Sequence, residues 1–246
     1  MTVVELRTSR KQKRNAARQQ GHIPEARGLY IKHISPLTSN QDKTFEAFSN
    51  NKNLLLHGSA GTGKSFISLY LALLEILEGN RGDLHKVVIL RSVVPTRDMG
   101  FLPGSAKEKS KVYEAPYNSI CNELFGRGDS YEILKTKGIV EFQTTSFIRG
   151  TTFSDCIIIV DEMQNMTYQE LDSVITRVGD NCKIIFSGDF KQTDLTRDSE
   201  RNGLHTFMKI LKHMNMFDCI EFTKEDIVRS KLVKSYIIAK EELLNQ

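Results

Sequence analysis

No stretch of this sequence approaches the ~18 consecutive apolar residues of a membrane-spanning helix, so no membrane association is expected. The first residues alternate basic and polar side chains and lack the apolar centre of a secretory signal. Cysteine is scarce and scattered: Cys121, Cys156, Cys182 and Cys219 form neither a CxxC pair nor a Cys/His cluster. That spacing argues against zinc and against a disulfide framework, which makes a reducing cytoplasm the expected location. Cys156 and Cys182 adjoin apolar runs and read as small buried hydrophobes. Proline is also rare, five in 246 residues.

What is present fits a single large domain with extensions. Hydrophobic residues make up 39% and charged residues 26%, ordinary for a chain that buries its own core. The net charge of +4 is unevenly spread. Residues 1–33 carry eight Lys/Arg (Arg7, Arg10, Lys11, Lys13, Arg14, Arg18, Arg27, Lys32) against Glu5 and Glu25, while the remainder holds 26 basic and 28 acidic residues. The division expected is therefore a basic N-terminal arm, 1–33, and a body, 34–246. Such an arm can neutralise nucleic-acid phosphates; a solvated tail has the same composition.

From residue 53 onward, short apolar runs rich in β-branched residues alternate with longer helical patterns. The runs at 54–57, 87–91, 139–144, 157–161 and 184–187 predict buried parallel strands. Helices are expected over 64–77, 168–178, 203–211 and 227–244, the last with Val228, Leu232, Tyr236, Ala239 and Leu243 on one stripe. The alternation implies βαβ units and an α/β fold of three layers with a mainly parallel sheet, and the glycine-rich loop at 58–65 makes the expected core a P-loop (RecA-like) one. Residues 97–117, with Pro103 and Pro116, read as a long irregular insertion.

Gly58-Ser59-Ala60-Gly61-Thr62-Gly63-Lys64-Ser65 matches GxxxxGK[ST] in full, with a strand before it and a helix after it. Glycines permit a tight turn whose N–H groups point inward at the positive end of a helix, which is an anion site. Lys64 is placed to meet the β- and γ-phosphates of ATP, and the Ser65 hydroxyl to ligate Mg²⁺. Farther on, the run 157–160 ends in Asp161 and Glu162. Ligands of such sheets bind at the carboxyl ends of strands, so Asp161 is expected to hold Mg²⁺ through water and Glu162 to activate the attacking water. An acidic pair that caps the following helix is the plain alternative. After the next run, Gln192 could sense the γ-phosphate by a neutral hydrogen bond. Taken alone, that segment is a weak motif.

These motifs resemble the PhoH-like family, P-loop ATPases related to superfamily 1 helicases. Besides the phosphate loop, the resemblance rests on Gly100-Phe-Leu-Pro-Gly104, Pro116-Tyr117, Arg149-Gly150 and Asp161-Glu162-Met163-Gln164-Asn165. It continues through Thr176-Arg177-Val178-Gly179, Gly188-Asp189 with Gln192 and Asp194-Leu195, and Asp226-Ile227-Val228-Arg229. Departures are Ser59, Ser65, Met163 and Thr151, the last standing where a second arginine is common. The resemblance implies that Gln41, upstream of the phosphate loop, reads adenine: an amide can donate to N7 and accept from the N6 amine. It also implies the short bacterial and phage form, without an added nuclease or RNA-binding domain.

Two functions remain open on the sequence alone. One is an ATPase remodeler acting on single-stranded RNA or DNA. Because the chain has room for one core only, it would work as a homo-oligomeric ring, a hexamer by resemblance. The other is a nucleotide-dependent switch that controls a protein partner. In the ring, an arginine would cross a subunit boundary to the γ-phosphate, and Arg177 and Arg229 are the candidates. A surface ion pair is the bland alternative for each. A small-molecule kinase has no use for the acidic and glutamine boxes.

Overall fold

The computed structural model describes residues 29–79, 83–92, 106–148, 150–189 and 198–244. Six strands form one all-parallel sheet in the order β3-β2-β4-β5-β1-β6. They are β1 (Asn53–Gly58), β2 (Lys86–Arg91), β3 (Val140–Thr144), β4 (Cys156–Val160), β5 (Cys182–Gly188) and β6 (Phe217–Phe222). Strand side chains alternate between two apolar layers. Leu54, Leu56, Ile157 and Ile159 face one layer, and Leu55, Ile158 and Val160 face the other. Each such side chain, once buried, contributes about 1.5–3 kcal/mol.

Helices cover both faces. On the first lie α1 (Ser39–Ser49), α2 (Lys64–Glu78), α3 (Ala106–Phe125) and α4 (Ser130–Thr136). On the second lie α5 (Tyr168–Ile175) and α6 (Asp198–His213). The three-layer α/β/α core expected from the sequence is the observed one. Within α5, Thr167 and Glu170 form a reciprocal cap, which fixes where the chain turns after the acidic pair. The C-terminal end of α1 is held by buried Lys183, whose Nζ donates to the Phe48 carbonyl at 2.7 Å and lies over the Phe48 ring. No helix of the described residues is long and apolar enough to cross a membrane.

Several expectations are corrected. Residues 106–117, read as irregular, belong to α3, with Pro116 inside the helix. Glu114, Tyr117, Cys121 and Leu124 are buried on it, a helical spacing that the proline obscured. The strand β6 went unread because Asp218 and Glu221 interrupt its apolar residues, as suits an edge strand that is only partly buried. The last helix, α7 (Lys231–Leu244), begins four residues later than expected, and its stripe faces outward: Leu232 is 80%, Tyr236 66% and Leu243 72% exposed. At the other end, Leu29 and Ile31 are buried in the core, so the last residues assigned to the arm pack on the body. Residues 1–28 of that arm and the glycine turn 100–104 lie outside the described residues.

Candidate nucleotide site

The phosphate loop leaves β1 at Gly58, and its path is dictated by backbone sterics. Gly58 has φ +115°, and a Cβ there would stand 1.9 Å from the Phe222 carbonyl oxygen on β6. The next residue seals the contact, with Ser59 N donating to Phe222 O at 2.9 Å. Gly61 and Gly63 also hold left-handed backbone. Only glycine enters such turns without strain. Lys64 opens α2 and is 8% exposed. Its Nζ donates to Gly58 O at 2.9 Å, to Ser59 O at 2.7 Å and to Thr62 Oγ1 at 3.2 Å. Burial lowers its pKa, against the opposing pull of Asp189, Glu162, Asp161 and Asp226.

The acidic pair ends β4 beside this loop, as the sequence suggested. Asp161 N donates to Leu90 O at 2.9 Å, and the carboxylate accepts from Ser65 Oγ on Oδ1 and from Tyr117 Oη on Oδ2, both at 2.8 Å. Burial first, then the Asp161 charge, push the Tyr117 phenol well above its ordinary range, so it acts as a donor. Glu162 sits in left-handed backbone at φ +54°, an uncommon conformation for a residue with a side chain and one that clusters at functional sites. Burial and Asp161 raise its pKa, opposed by Arg91, Gln164 and Lys64. Gln164 ties the site together. Its amide nitrogen donates to Glu162, and its oxygen accepts from Asp189 N at 3.0 Å.

On the other flank, Gln41 is buried with its amide oriented. Oε1 accepts from Leu37 N at 2.7 Å and Nε2 donates to Thr62 O at 3.1 Å. Each amide group retains one further hydrogen-bonding position. Buried Asp226 fastens this flank to the end of β6, accepting from Asn40 Nδ2 at 2.8 Å and from Thr223 N at 2.9 Å. Two residues on, Val228 N donates to Gly61 O at 3.0 Å. The result is a cleft of ≈ 870 Å³ between α1, the phosphate loop, α3 and the 228–229 segment. Ile34, Leu37 and Phe45 give it an apolar end, and Lys64, Asp161 and Glu162 a charged one.

Every described residue expected to bind nucleotide or metal is thus gathered at one end of the sheet, while Gln192 and Arg149 lie outside the described residues. The two arginines separate. Arg229 lines the cleft of its own chain, and a Cβ on Gly61 would meet its Cγ at 3.0 Å. Arg177 follows α5 rather than lying on it, and its carbonyl accepts from Phe153 N, before β4 begins. It therefore stands toward the opposite end of the strands, with Nε buried and unpartnered among the described residues. Nothing local in the sequence marks Tyr117, Gln164, Asn40 and Asp226 as site residues, although the first two and the last fall within the segments 116–117, 161–165 and 226–229. Their value lies in contacts between distant segments.

The donor set suits a hard cation. A hydroxyl and a carboxylate in mutual contact fit Mg²⁺, which takes one or two protein oxygens and completes its shell with water and phosphate. Among the described residues, no cluster of three or more His, Cys, Asp or Glu could hold a metal without such help.

A glycine loop between β1 and α2, facing an acidic pair at the end of β4 in an all-parallel, doubly covered sheet, defines a P-loop NTPase core. A family model described as PhoH-like protein matches residues 33–241, and the chain belongs to that family. A Bacillus subtilis PhoH-like protein is 32% identical over 209 residues, covering 85% of this chain and 64% of its own length. The Escherichia coli K12 Protein PhoH is 32% identical over 189 residues, 76% of this chain and 52% of its own. The chain thus spans less than two thirds of either relative. Among solved structures, the UvsW helicase from bacteriophage T4 shares 18% identity at a TM-score of 0.45, over 87% of this chain and 67% of that one. The large terminase of a thermophilic bacteriophage shares 13% at 0.48, over 82% and 50%. Such distant likenesses say nothing about activity.

Proposed function

We propose that this protein hydrolyses Mg·ATP and couples turnover to single-stranded RNA or DNA. The observation that carries the first half is the contact of Ser65 with Asp161 beside Lys64 and Glu162, at the mouth of a glycine loop. In this reading Lys64 exchanges its bonds to the loop carbonyls for bonds to the β- and γ-phosphates, and the loop N–H groups of residues 58–65 cradle the same oxygens. Adenine lies against Ile34, Leu37 and Phe45, where Gln41 reads its edge. Glu162, its pKa raised by burial, orients the attacking water and takes its proton. Ser65 and Asp161 would hold Mg²⁺, which would supply positive charge at the phosphates. Gln164 keeps Glu162 in register with Asp189.

Two features support the second half. The basic residues of 1–28 supply an electrostatic partner for phosphates. The outward apolar residues of α7, next to the phosphate loop, suit contact with a neighbouring subunit in a ring. The test is ATP turnover with and without single-stranded RNA and DNA at several salt concentrations. Stimulation that weakens with salt, and weakens less steeply once residues 1–20 are deleted, is the expected result. Turnover indifferent to both polymers would favour a nucleotide switch acting on a protein.

A further inference from the structure

Asp161 divides its two oxygens between two different parts of the chain. Ser65, at the start of α2, donates to Oδ1; Tyr117, on α3, donates to Oδ2. The Tyr117 side chain is buried, and its ring leans on Phe142 of β3 at 5.8 Å between centroids. The hydroxyl donates to a carboxylate 44 residues away in sequence. A tyrosine needed only for packing would do as well as phenylalanine here. Meanwhile Pro116, Ser119, Ile120 and Glu123 of the same helix line the cleft, so α3 touches the nucleotide's place on one side and the carboxylate on the other.

We propose that Tyr117 is a positioning residue for the metal: its hydroxyl fixes the Asp161 carboxylate so that Oδ1 alone is presented beside Ser65. An unheld carboxylate rotates and offers either oxygen, and each orientation that misses the metal weakens binding. Groups that orient metal ligands in this way typically change metal affinity by about 10–100-fold when removed. The link also makes α3 a lever, since a shift of this helix against the sheet moves the metal ligand directly.

The inference rests on the Mg-nucleotide reading of the site, and one experiment separates the two. Free Mn²⁺ is measured by electron paramagnetic resonance during titration into wild-type protein with ADP, then into Tyr117→Phe and Phe142→Leu, each with its thermal unfolding curve. Tyr117→Phe should raise the Mn²⁺ midpoint about tenfold while ADP binding in EDTA stays as in wild type. Phe142→Leu, which loosens the same packing but spares the hydroxyl, should lower thermal stability without moving that midpoint. An unchanged midpoint in Tyr117→Phe, or an equal shift in Phe142→Leu, overturns the role of Tyr117 alone. Wild-type protein that binds no Mn²⁺ with ADP overturns the nucleotide reading and this inference with it. If Tyr117→Phe does not fold, a ring-fluorinated tyrosine at 117 keeps the shape and alters the donor; a midpoint that stays put then overturns the role.

Discussion

Ser65 and Asp161, 96 residues apart in sequence, meet with Oγ donating to Oδ1 at 2.8 Å. The contact exists because β1 and β4 run in the same direction with β5 between them, so that the loop after one strand and the carboxylate after the other emerge at the same end of the sheet. A hydroxyl and a carboxylate already touching need little rearrangement to share a divalent cation. What holds this arrangement in place, and what it does, are both open to measurement.

Gly58→Ala should be among the most damaging single changes in the chain. The new methyl would require left-handed backbone at φ +115° and would overlap the Phe222 carbonyl at 1.9 Å. Backbone resists such a shift, so a loss of about 3 kcal/mol or more is expected, with β6 the first strand displaced. Denaturant unfolding and amide hydrogen exchange in residues 217–222 check this. Wild-type stability would mean that the loop and β6 are not in contact.

Asp226→Ala should weaken ATP binding without touching ATP. The carboxylate joins Asn40 of α1 to Thr223, and through the following residues to Gly61. Removing it takes their acceptor from the half-buried Asn40 amide and the Thr223 N–H, at about 0.5–1.5 kcal/mol per bond, and frees the helix that carries Gln41. Calorimetry should find lower affinity together with a lower unfolding temperature. A stability loss with unchanged affinity would separate this link from the nucleotide.

Stability should fall on the acid side partly because of His57. Burial holds its pKa below the ordinary imidazole value, with Lys212 and Lys64 adding to the effect and Glu221 opposing it. The unfolded chain therefore takes up the proton first. The stability tied to neutral His57 is complete above about pH 6.5 and is lost as pH falls from there toward the folded pKa. His57→Gln should flatten that part of the curve, and unfolding free energies measured from about pH 5 to 8 will show it. Parallel curves for the two proteins would assign the acid loss elsewhere.

Arg229 should act on the nucleotide of its own chain. Its side chain lies against Gly61 in that chain's cleft. Arg229→Ala alone is expected to slow turnover by on the order of 10³-fold if it meets charge at the γ-phosphate. Mixed with Glu162→Gln, it should recover nothing, because no single site then holds both groups. Restored activity would place the target of Arg229 across a subunit boundary. The same mixture made with Arg177→Ala tests the other arginine, which stands toward the far end of its own strands, away from its own chain's cleft.

The parts of this account legible in the sequence are those written in adjacent residues. Five strands declare themselves as apolar runs, the phosphate loop as an eight-residue pattern, and Asp161 with Glu162 as acids at the end of a run. What stayed hidden depends on distant partners. Asp218 and Glu221 interrupt β6 because it is an edge, α3 carries a proline on the face that lines the cleft, and nothing local marks Asp226 as the anchor of Asn40. The outward stripe of α7 shows the same limit in reverse. The expected stripe is the exposed one, whereas half-buried Ile237 is the residue that meets Gly61, and periodicity alone does not say which face the body covers.

The central claim is that Lys64 grips nucleotide while Glu162 turns it over, and ATP affinity and steady-state hydrolysis measured on wild type, Lys64→Ala and Glu162→Gln test it most directly. Lys64→Ala should lose nucleotide binding. Glu162→Gln should bind ATP near the wild-type affinity while turnover drops by on the order of 10²–10⁴-fold. Equal loss of binding in both variants, or hydrolysis that survives Glu162→Gln, would contradict the assignment.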